Sequence, residues 1–320
     1  MGLLLKKSIL TILFISLFLL ILIYPQVSFS YAAAGLTLWF ERMVPTLFPF
    51  MILSTILIRQ NLTGSFVRSI YPLFGRLYGI GKDAVYCLFL GFLCGFPMGA
   101  RTIGELYKTE KISKRETSLL LSFCNNIGPV YFMGFVLPVT GCTQKELLPI
   151  FLFGMYGIPL LYGLFVRISG FLLPKESPFV KNDKTALPEK ESGESFTQSL
   201  ESAIDSGIHG ITTLGAYMIL CNLLNLFPFW IFSCMSADEN MLISNILNCL
   251  LEITGGIKRM GSDAPLCSLT LLHLGGLSCL LQTKSMIQNT DLSLKTYFIH
   301  KMLQAVLTAA YYFFLRLFLL

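Results

Sequence analysis

Four apolar stretches of this sequence are broken near their middle or end by Gly, Pro or Asn: GFPMGAR at 95–101, SFCNNIGP at 122–129, LEITGG at 251–256 and HLGGLS at 273–278. Hydrocarbon offers no partner to a freed backbone N–H or C=O, so a break at membrane depth survives only where it lines a cavity or is satisfied by protein. The runs that carry these breaks belong to a longer series. Apolar runs cover 8–24, 34–58, 84–104, 117–138, 147–173, 202–233, 241–257, 265–283 and 297–320, and about 20 apolar residues span a bilayer. Charged residues make up 13% of the chain and hydrophobic ones 54%, with mean hydropathy +0.68. Soluble domains carry about 25% charged residues, so a soluble enzyme and a disordered chain are both excluded. The expected fold class is an all-α polytopic membrane protein.

Charge placement orients the runs. Lys6 and Lys7 precede the first one, which reads as an uncleaved helix rather than a signal peptide cut near Ser28 and Ser30. Residues 64–80 carry Arg68 and Arg76 among apolar residues and suit a helix lying on the membrane surface. The stretch 174–200 mixes Lys, Glu and Asp with Pro174, Pro178 and Pro188, and reads as a flexible linker. Four units follow: an N-terminal helix at 1–30, a first repeat with a following helix at 31–173, the linker at 174–200, and a second repeat with a C-terminal helix at 201–320. With the N-terminus in the cytoplasm, and 84–104 and 241–257 taken as re-entrant hairpins, the cytoplasmic stretches hold 17 Lys and Arg and the outer ones, including 25–33, hold 3. That bias obeys the positive-inside rule. A full span at 84–104 would put the basic blocks of 59–83 and 101–116 on opposite sides. The two units of helix, hairpin and broken helix then run in opposite directions, as in the inverted repeats of secondary transporters. PFMILSTIL at 49–57 faintly echoes AYMILCNLL at 216–224.

The breaks also hold the residues that could carry chemistry. An unwound segment offers amides and carbonyls to a substrate, and half-helix N-termini attract anions. Glu252 is an acid at membrane depth, where an acid costs about 2.5–3.5 kcal/mol on insertion scales. It is expected either to contact substrate, proton or cation, or to accept bonds from hairpin amides. Asn125 and Asn126 offer donors and acceptors in a helix break, as site lining or as caps. Arg101 follows the GFPMG break and could draw an anion inward, snorkel to the surface, or pair with Glu105 at i, i+4. Glu41 and Arg42 suit the outer interface. His273 beside the HLGG break could relay protons or be structural; His209 is the weaker candidate. None of the nine cysteines forms a CxxC pair, so neither zinc nor redox chemistry is expected of them. No serine triad, HExxH, P-loop or dinucleotide fingerprint occurs, so no enzymatic activity and no cofactor are expected. The net charge of +6 forms no basic face of a nucleic-acid-binding fold.

GFPMGAR, KISKRE at 111–116, SFCNNIGP, LEITGG and HLGGLS, in this order, resemble the YlbJ-like sporulation integral membrane proteins, also called stage V sporulation protein V. The resemblance runs from about residue 32 to the C-terminus. It implies two gate, or nucleoside-recognition, membrane domains, similar to the core of concentrative nucleoside transporters. It further implies movement of dipicolinic acid, a pyridine dicarboxylate, out of the mother cell across the outer forespore membrane. Transferred position by position, the resemblance places Pro97, Gly99, Asn125, Asn126, Gly128, Glu252, Thr254, Gly275 and Ser278 around the substrate, and a dianionic substrate would favour Arg101 beside them. LEITGG lacks the polar run of a nucleoside-binding hairpin, which favours an anion.

The partners expected are therefore a small-molecule substrate, dipicolinate-like or a nucleoside, and the lipid bilayer, with no nucleic acid. A homo-oligomer is compatible with the sequence. Two alternatives stand beside anion transport: a nucleoside or nucleobase carrier, and a non-transporting membrane factor for spore-envelope assembly.

Overall fold

The computed structural model describes residues 2–174, 195–233 and 241–318. Helix dominates throughout, and no strand occurs among the described residues beyond one isolated bridge between Gly95 and Ile127. Five helices are long and apolar enough to cross a membrane, with a sixth candidate in a bent pair. The protein is an all-α polytopic membrane protein.

Helix α1 (Gly2–Ile23) is apolar on all sides of its described length and turns at Tyr24 into α2 (Pro25–Arg59). Here the structure departs from the sequence reading, which placed an outer connection at 25–33. Pro25 sits in the first helical turn, where its missing N–H is not needed. The Ser28 hydroxyl donates to the Tyr24 carbonyl 2.7 Å away, so the polar residues join the helix instead of ending it. At 35 residues, α2 is ~52 Å long. It contains a π-turn at Trp39–Met43.

Helix α3 (Tyr71–Tyr78) is amphipathic and meets α4 (Lys82–Cys94) at 101°, as a surface helix leading into a buried one would. Helix α4 turns back at 95–97 into α5 (Met98–Lys108), and the two arms pack closely. A first broken helix follows: α6 (Lys114–Phe123), started by a Ser113/Glu116 capping box, then a gap at 124–128, then α7 (Pro129–Val139). Helix α8 (Lys145–Ser169) closes this half.

The second half repeats the order. A long helix, α9 (Phe196–Leu223) with its continuation α10 (Leu226–Ser233), precedes a hairpin of α11 (Met241–Leu251) and α12 (Ile253–Met260). A second broken helix follows, α13 (Pro265–Leu271) and α14 (Gly276–Met286), and α15 (Leu294–Phe318) ends the chain. Most of the expected linker, and the connection at 235–240, lie outside the described residues; α9 begins at Phe196, inside the range read as linker. The break in the second hairpin falls at Glu252, inside the LEITGG stretch, and Gly255 and Gly256 after it are helical. The Glu252 carboxylate accepts the Thr254 and Gly255 amides, so the acid makes the break and caps the helix after it.

Side-chain ties show which connections share a face. The Gln60 amide donates to Ser199 Oγ at 2.8 Å, Lys111 to the Asn61 side chain, Gly81 N to Glu116 at 2.7 Å, and Lys114 pairs with Asp291. Residues 58–61, 81, 107–116, 199 and 291 thus gather at one end of the molecule. Gly141 and Ser262 approach each other from different connections. Both ends of the first hairpin, at 81 and 109, reach the same end. Helix α2 packs along α9 where the two halves meet. The echo found in the sequence falls on that seam, with Met51 and Met218 both buried.

Candidate functional site

The first hairpin can reach the first broken helix because Gly91 lacks a side chain: a Cβ there would sit 2.2 Å from the Cys124 carbonyl oxygen. Gly95 takes φ +80° at the tip, and the peptide between Phe96 and Pro97 is cis. Phe96 N then donates to the Asn126 carbonyl at 2.6 Å. The second half reverses this notch, since Gly276 of the broken helix lies against the Cys249 carbonyl of the hairpin.

The groups freed at the first break find partners. Asn125 Oδ1 accepts the Ala100 amide at 3.3 Å, and its Nδ2 donates to Thr283 Oγ1 at 3.0 Å and Tyr297 OH at 3.1 Å. Asn126 Nδ2 donates to the Phe123 carbonyl at 2.6 Å, and its Oδ1 accepts from the Lys301 ammonium at 2.7 Å. Gln304 donates to the Ser122 carbonyl, and Tyr156 OH to the Ile127 carbonyl at 3.0 Å. One asparagine therefore fastens the first hairpin to the second broken helix and to α15, and the other fastens the break to α15. At the second hairpin, Glu252 accepts Gly255 N at 2.7 Å, Thr254 N at 3.2 Å and Asn222 Nδ2 at 3.2 Å, and is buried. Its expected role as an acceptor of hairpin amides is the one the geometry displays.

Both hairpin tips and both broken helices border a cavity of about 490 Å³. The first hairpin gives Leu93, Cys94 and Phe96; the first broken helix gives Ile127, Gly128, Val130, Tyr131, Gly134 and Phe135. The second hairpin gives Glu252, Ile253 and Thr254, and α14 gives Cys279 and Gln282. Helices α2 and α9 complete the wall, from Arg42 to Phe50 and at Leu214 and Met218. Two π-turns, Trp39–Met43 and Phe132–Val136, contribute to it; such turns occur often at functional sites. The wall is mostly apolar, with a few polar groups that could orient a ligand, as small-molecule sites commonly are.

Of the residues singled out from the sequence, Gly128, Glu252 and Thr254 line the cavity. Asn125 and Asn126 stand behind the wall, fully buried, as fasteners. Pro97 follows the lining residue Phe96. Gly99 packs on the Cys124 carbonyl, Gly275 lies against the Phe96 ring, and Ser278 accepts a hydrogen bond from Gln282 at 2.8 Å.

Arg101 does not reach the cavity, nor does it snorkel. It is buried, donates to Ser206 Oγ at 2.8 Å and Ser206 O at 3.3 Å, and lies 3.6 Å from Glu105. Four residues past the tip, it faces α9, where Gly210 leaves room: a Cβ there would be 2.3 Å from Arg101 Nη1. The i, i+4 pairing with Glu105 is present. His273 is buried near Thr308, outside the cavity wall, and His209 is exposed. Arg42 is exposed and borders the cavity. No group of three or more His, Cys, Asp or Glu that could hold a metal occurs among the described residues. The eight described cysteines are free and mostly buried.

Sequence reasoning missed Lys301, Gln282, Tyr131 and Asn222. Lys301 had a visible signal, a lysine inside the last apolar run, where an ionisable residue is by default a functional candidate. Gln282 and Asn222 also stood inside apolar runs, whereas Tyr131 carried no signal that separates it from an interfacial aromatic.

A helical membrane protein whose two hairpin tips and two broken helices border one cavity is the class these observations define. The family model described as Gate, nucleoside recognition, matches residues 40–141, from α2 through the first hairpin and broken helix. The chain is similar to the sporulation integral membrane protein YlbJ of Bacillus subtilis (strain 168), at 26% identity over 318 residues, covering 90% of this chain and 77% of that protein. No solved structure matches. The resemblance read from GFPMGAR, SFCNNIGP, LEITGG and HLGGLS is thus upheld over nearly the whole chain, and the protein is a multi-pass integral membrane protein.

Proposed function

We propose that this protein is a secondary transporter for a small organic anion, dipicolinate in the first place, exported from the mother cell across the outer forespore membrane during sporulation. The observation that carries this reading is the convergence of both hairpin tips, the first helix break and the second broken helix on one cavity. Irregular backbone at membrane depth is expected where it lines a substrate path. In this reading the two halves, 31–173 and 201–320, are inverted repeats. Each hairpin enters and leaves by one face, the first by the end that gathers 81 and 107–116. That face is cytoplasmic, as is the N-terminus.

Two features favour an anion. Helix α7 begins at Pro129, directly after Gly128 on the cavity wall, with no side chain capping it. An uncapped helix start presents amides and the positive end of the helix dipole. The helix start of the second hairpin is already occupied by Glu252, so its carboxylate holds the hairpin and leaves the uncapped start to the substrate.

A second reading, a nucleoside carrier, is favoured by the nucleoside-recognition match over 40–141. The test is flux of dipicolinate and of uridine into proteoliposomes holding the full-length protein, in wild type, Asn126→Ala and Glu252→Gln. Saturable dipicolinate flux that falls in the variants is expected. Uridine flux alone would transfer the assignment to the nucleoside class. Flux of neither by folded protein would put a non-transporting assembly role in front.

A further inference from the structure

Among the described residues, one fully buried cation inside the membrane-spanning part has no counter-charge. Lys301 lies in α15, fully buried, and among the described residues no carboxylate comes within ion-pairing distance of its ammonium. Its contacts are Asn126 Oδ1 at 2.7 Å, the Phe96 ring at 5.0 Å and the Tyr297 ring at 5.9 Å. These give its three N–H groups one neutral acceptor and two π faces. Each attracts a cation, and none cancels its charge. A buried charge left uncompensated is costly, and a native structure keeps one where something else meets it.

The position shows what that is. Phe96, whose ring the ammonium faces at 5.0 Å, lines the cavity, and Asn126 directly precedes the lining residues Ile127 and Gly128. The ammonium is not itself on the wall but touches two residues at it, and its partner Asn126 lies three positions before the uncapped start of α7. Lys301 is fully buried, so its field is screened less than that of an exposed charge. It favours a negative ligand in the cavity, which in turn supplies the missing counter-charge.

We infer that Lys301 sets the charge selectivity of the cavity: it is a specificity-determining, positioning residue that favours anionic over neutral ligands through the Phe96–Asn126 wall, without touching them. This rests on the reading of the cavity as an anion site.

The test compares two probes of the same shape on the purified full-length protein in detergent: dipicolinate, a dianion, and pyridine-2,6-dicarboxamide, its neutral diamide. Equilibrium binding of each is measured by calorimetry for wild type, Lys301→Gln and Asn126→Asp. The first variant removes the charge. The second keeps the lysine and hands it a carboxylate partner at the same 2.7 Å position. In wild type the dianion binds better than the diamide. In both variants that preference falls by about 10-fold or more, equivalent to about 1.4 kcal/mol, with diamide affinity little changed. Asn126→Asp gives up the Nδ2 donation to the Phe123 carbonyl and melts somewhat lower than wild type for that reason, but the ion pair it gains with Lys301 keeps it folded, so it decides the matter even where Lys301→Gln fails to fold. If the variants weaken both probes equally, Lys301 only holds the hairpin tip in place and the inference falls while the anion site stands. If wild type binds the dianion no better than the diamide, the anion reading itself falls and takes the inference with it.

Discussion

At the scale of single residues, Glu252 and Lys301 show two ways of placing a charge inside a membrane protein. Glu252 is surrounded by donors. Two hairpin amides and the Asn222 side chain all point at its carboxylate, which replaces much of the hydration it lost. Removing that acceptor leaves the Thr254 and Gly255 amides without it, at about 1–3 kcal/mol for each such buried group, and takes one of its two acceptors from Asn222 Nδ2, which keeps the Met218 carbonyl. Glu252→Ala is therefore expected to lower the melting temperature in detergent markedly. Glu252→Gln keeps a carbonyl oxygen for one or two of the donors and falls less. Equal losses in the two variants would show that the cap contributes nothing. The acid was legible as important because it broke an apolar run, and its local chemistry follows from the Thr-Gly-Gly amides after it. Lys301 was harder to weigh: one lysine in a long apolar segment enters a topology count only as an exception. Its meaning depends on Asn126, 175 positions away in sequence, which no local pattern can supply. Arg101 shows the converse. Proximity to the GFPMG break suggested the cavity, but the side to which a helix turns a residue four positions later is fixed by packing, here against Ser206 and Gly210.

At the scale of elements, breaks were easier to find than to place. Gly, Pro and Asn clusters located all four, since these residues unwind helices or tolerate unwinding. In the second hairpin the helix stops at the acid and resumes through Gly255 and Gly256, because side-chain capping fixes the boundary there more strongly than glycine's weak helix propensity. The continuity of α2 from Pro25 was hidden for a similar reason: proline and serines at 25–30 read as a turn, yet suit a helix start. What the elements need most is close approach. The contact of the first hairpin with the first broken helix depends on the absent Cβ of Gly91, which would stand 2.2 Å from the Cys124 carbonyl. Backbone on both sides cannot give way, so Gly91→Ala is expected to cost more than the 1–3 kcal/mol typical of overpacking, with little folded protein recovered in size-exclusion chromatography. Gly134 is the matched control: it lines the same cavity, and a Cβ there meets nothing within 4 Å. Gly134→Ala should elute and melt as wild type does, whereas Gly134→Leu should stay folded and reduce ligand binding by filling the cavity. A Gly134→Ala variant as damaged as Gly91→Ala would show that the space beside α7 is not open.

At the scale of the whole molecule, the connections at one end are held by polar contacts between distant parts of the chain. The Asp291 carboxylate, between α14 and α15, accepts from Lys114 and from Tyr107 OH at 2.8 Å, joining the second half to the first. Those bonds hold its carboxyl below the ordinary carboxylate range. A lowered folded value means that the tie stabilises the fold above the unfolded value of about 3.9 and fades as pH falls through the lowered one. The side chain is largely exposed, so the effect is small. The melting difference between wild type and Asp291→Asn should stay constant from about pH 8 to 5 and close only as the pH falls below the ordinary carboxylate range; a difference unaffected by acid would mean that the carboxylate's charge plays no part. The same ties bear on the larger question of sidedness. Gly81 and Glu116 are bonded, as are Lys111 and Asn61, so the stretches before and after the first hairpin share an end. Gly141 and Ser262 approach each other elsewhere, on connections that the charge bias puts at the other end. If the hairpin turns back within the bilayer, cysteines placed at Lys82 and Glu110 are labelled from one side of sealed vesicles, and cysteines at Lys145 and Asp263 from the other. The background for this labelling lacks Cys267, the least buried of the described native thiols. Positions 82 and 110 labelled from opposite sides would make the hairpin a true crossing. The two halves would then lose their inverted relation, and the cavity would lose the symmetry that makes alternating access its natural motion.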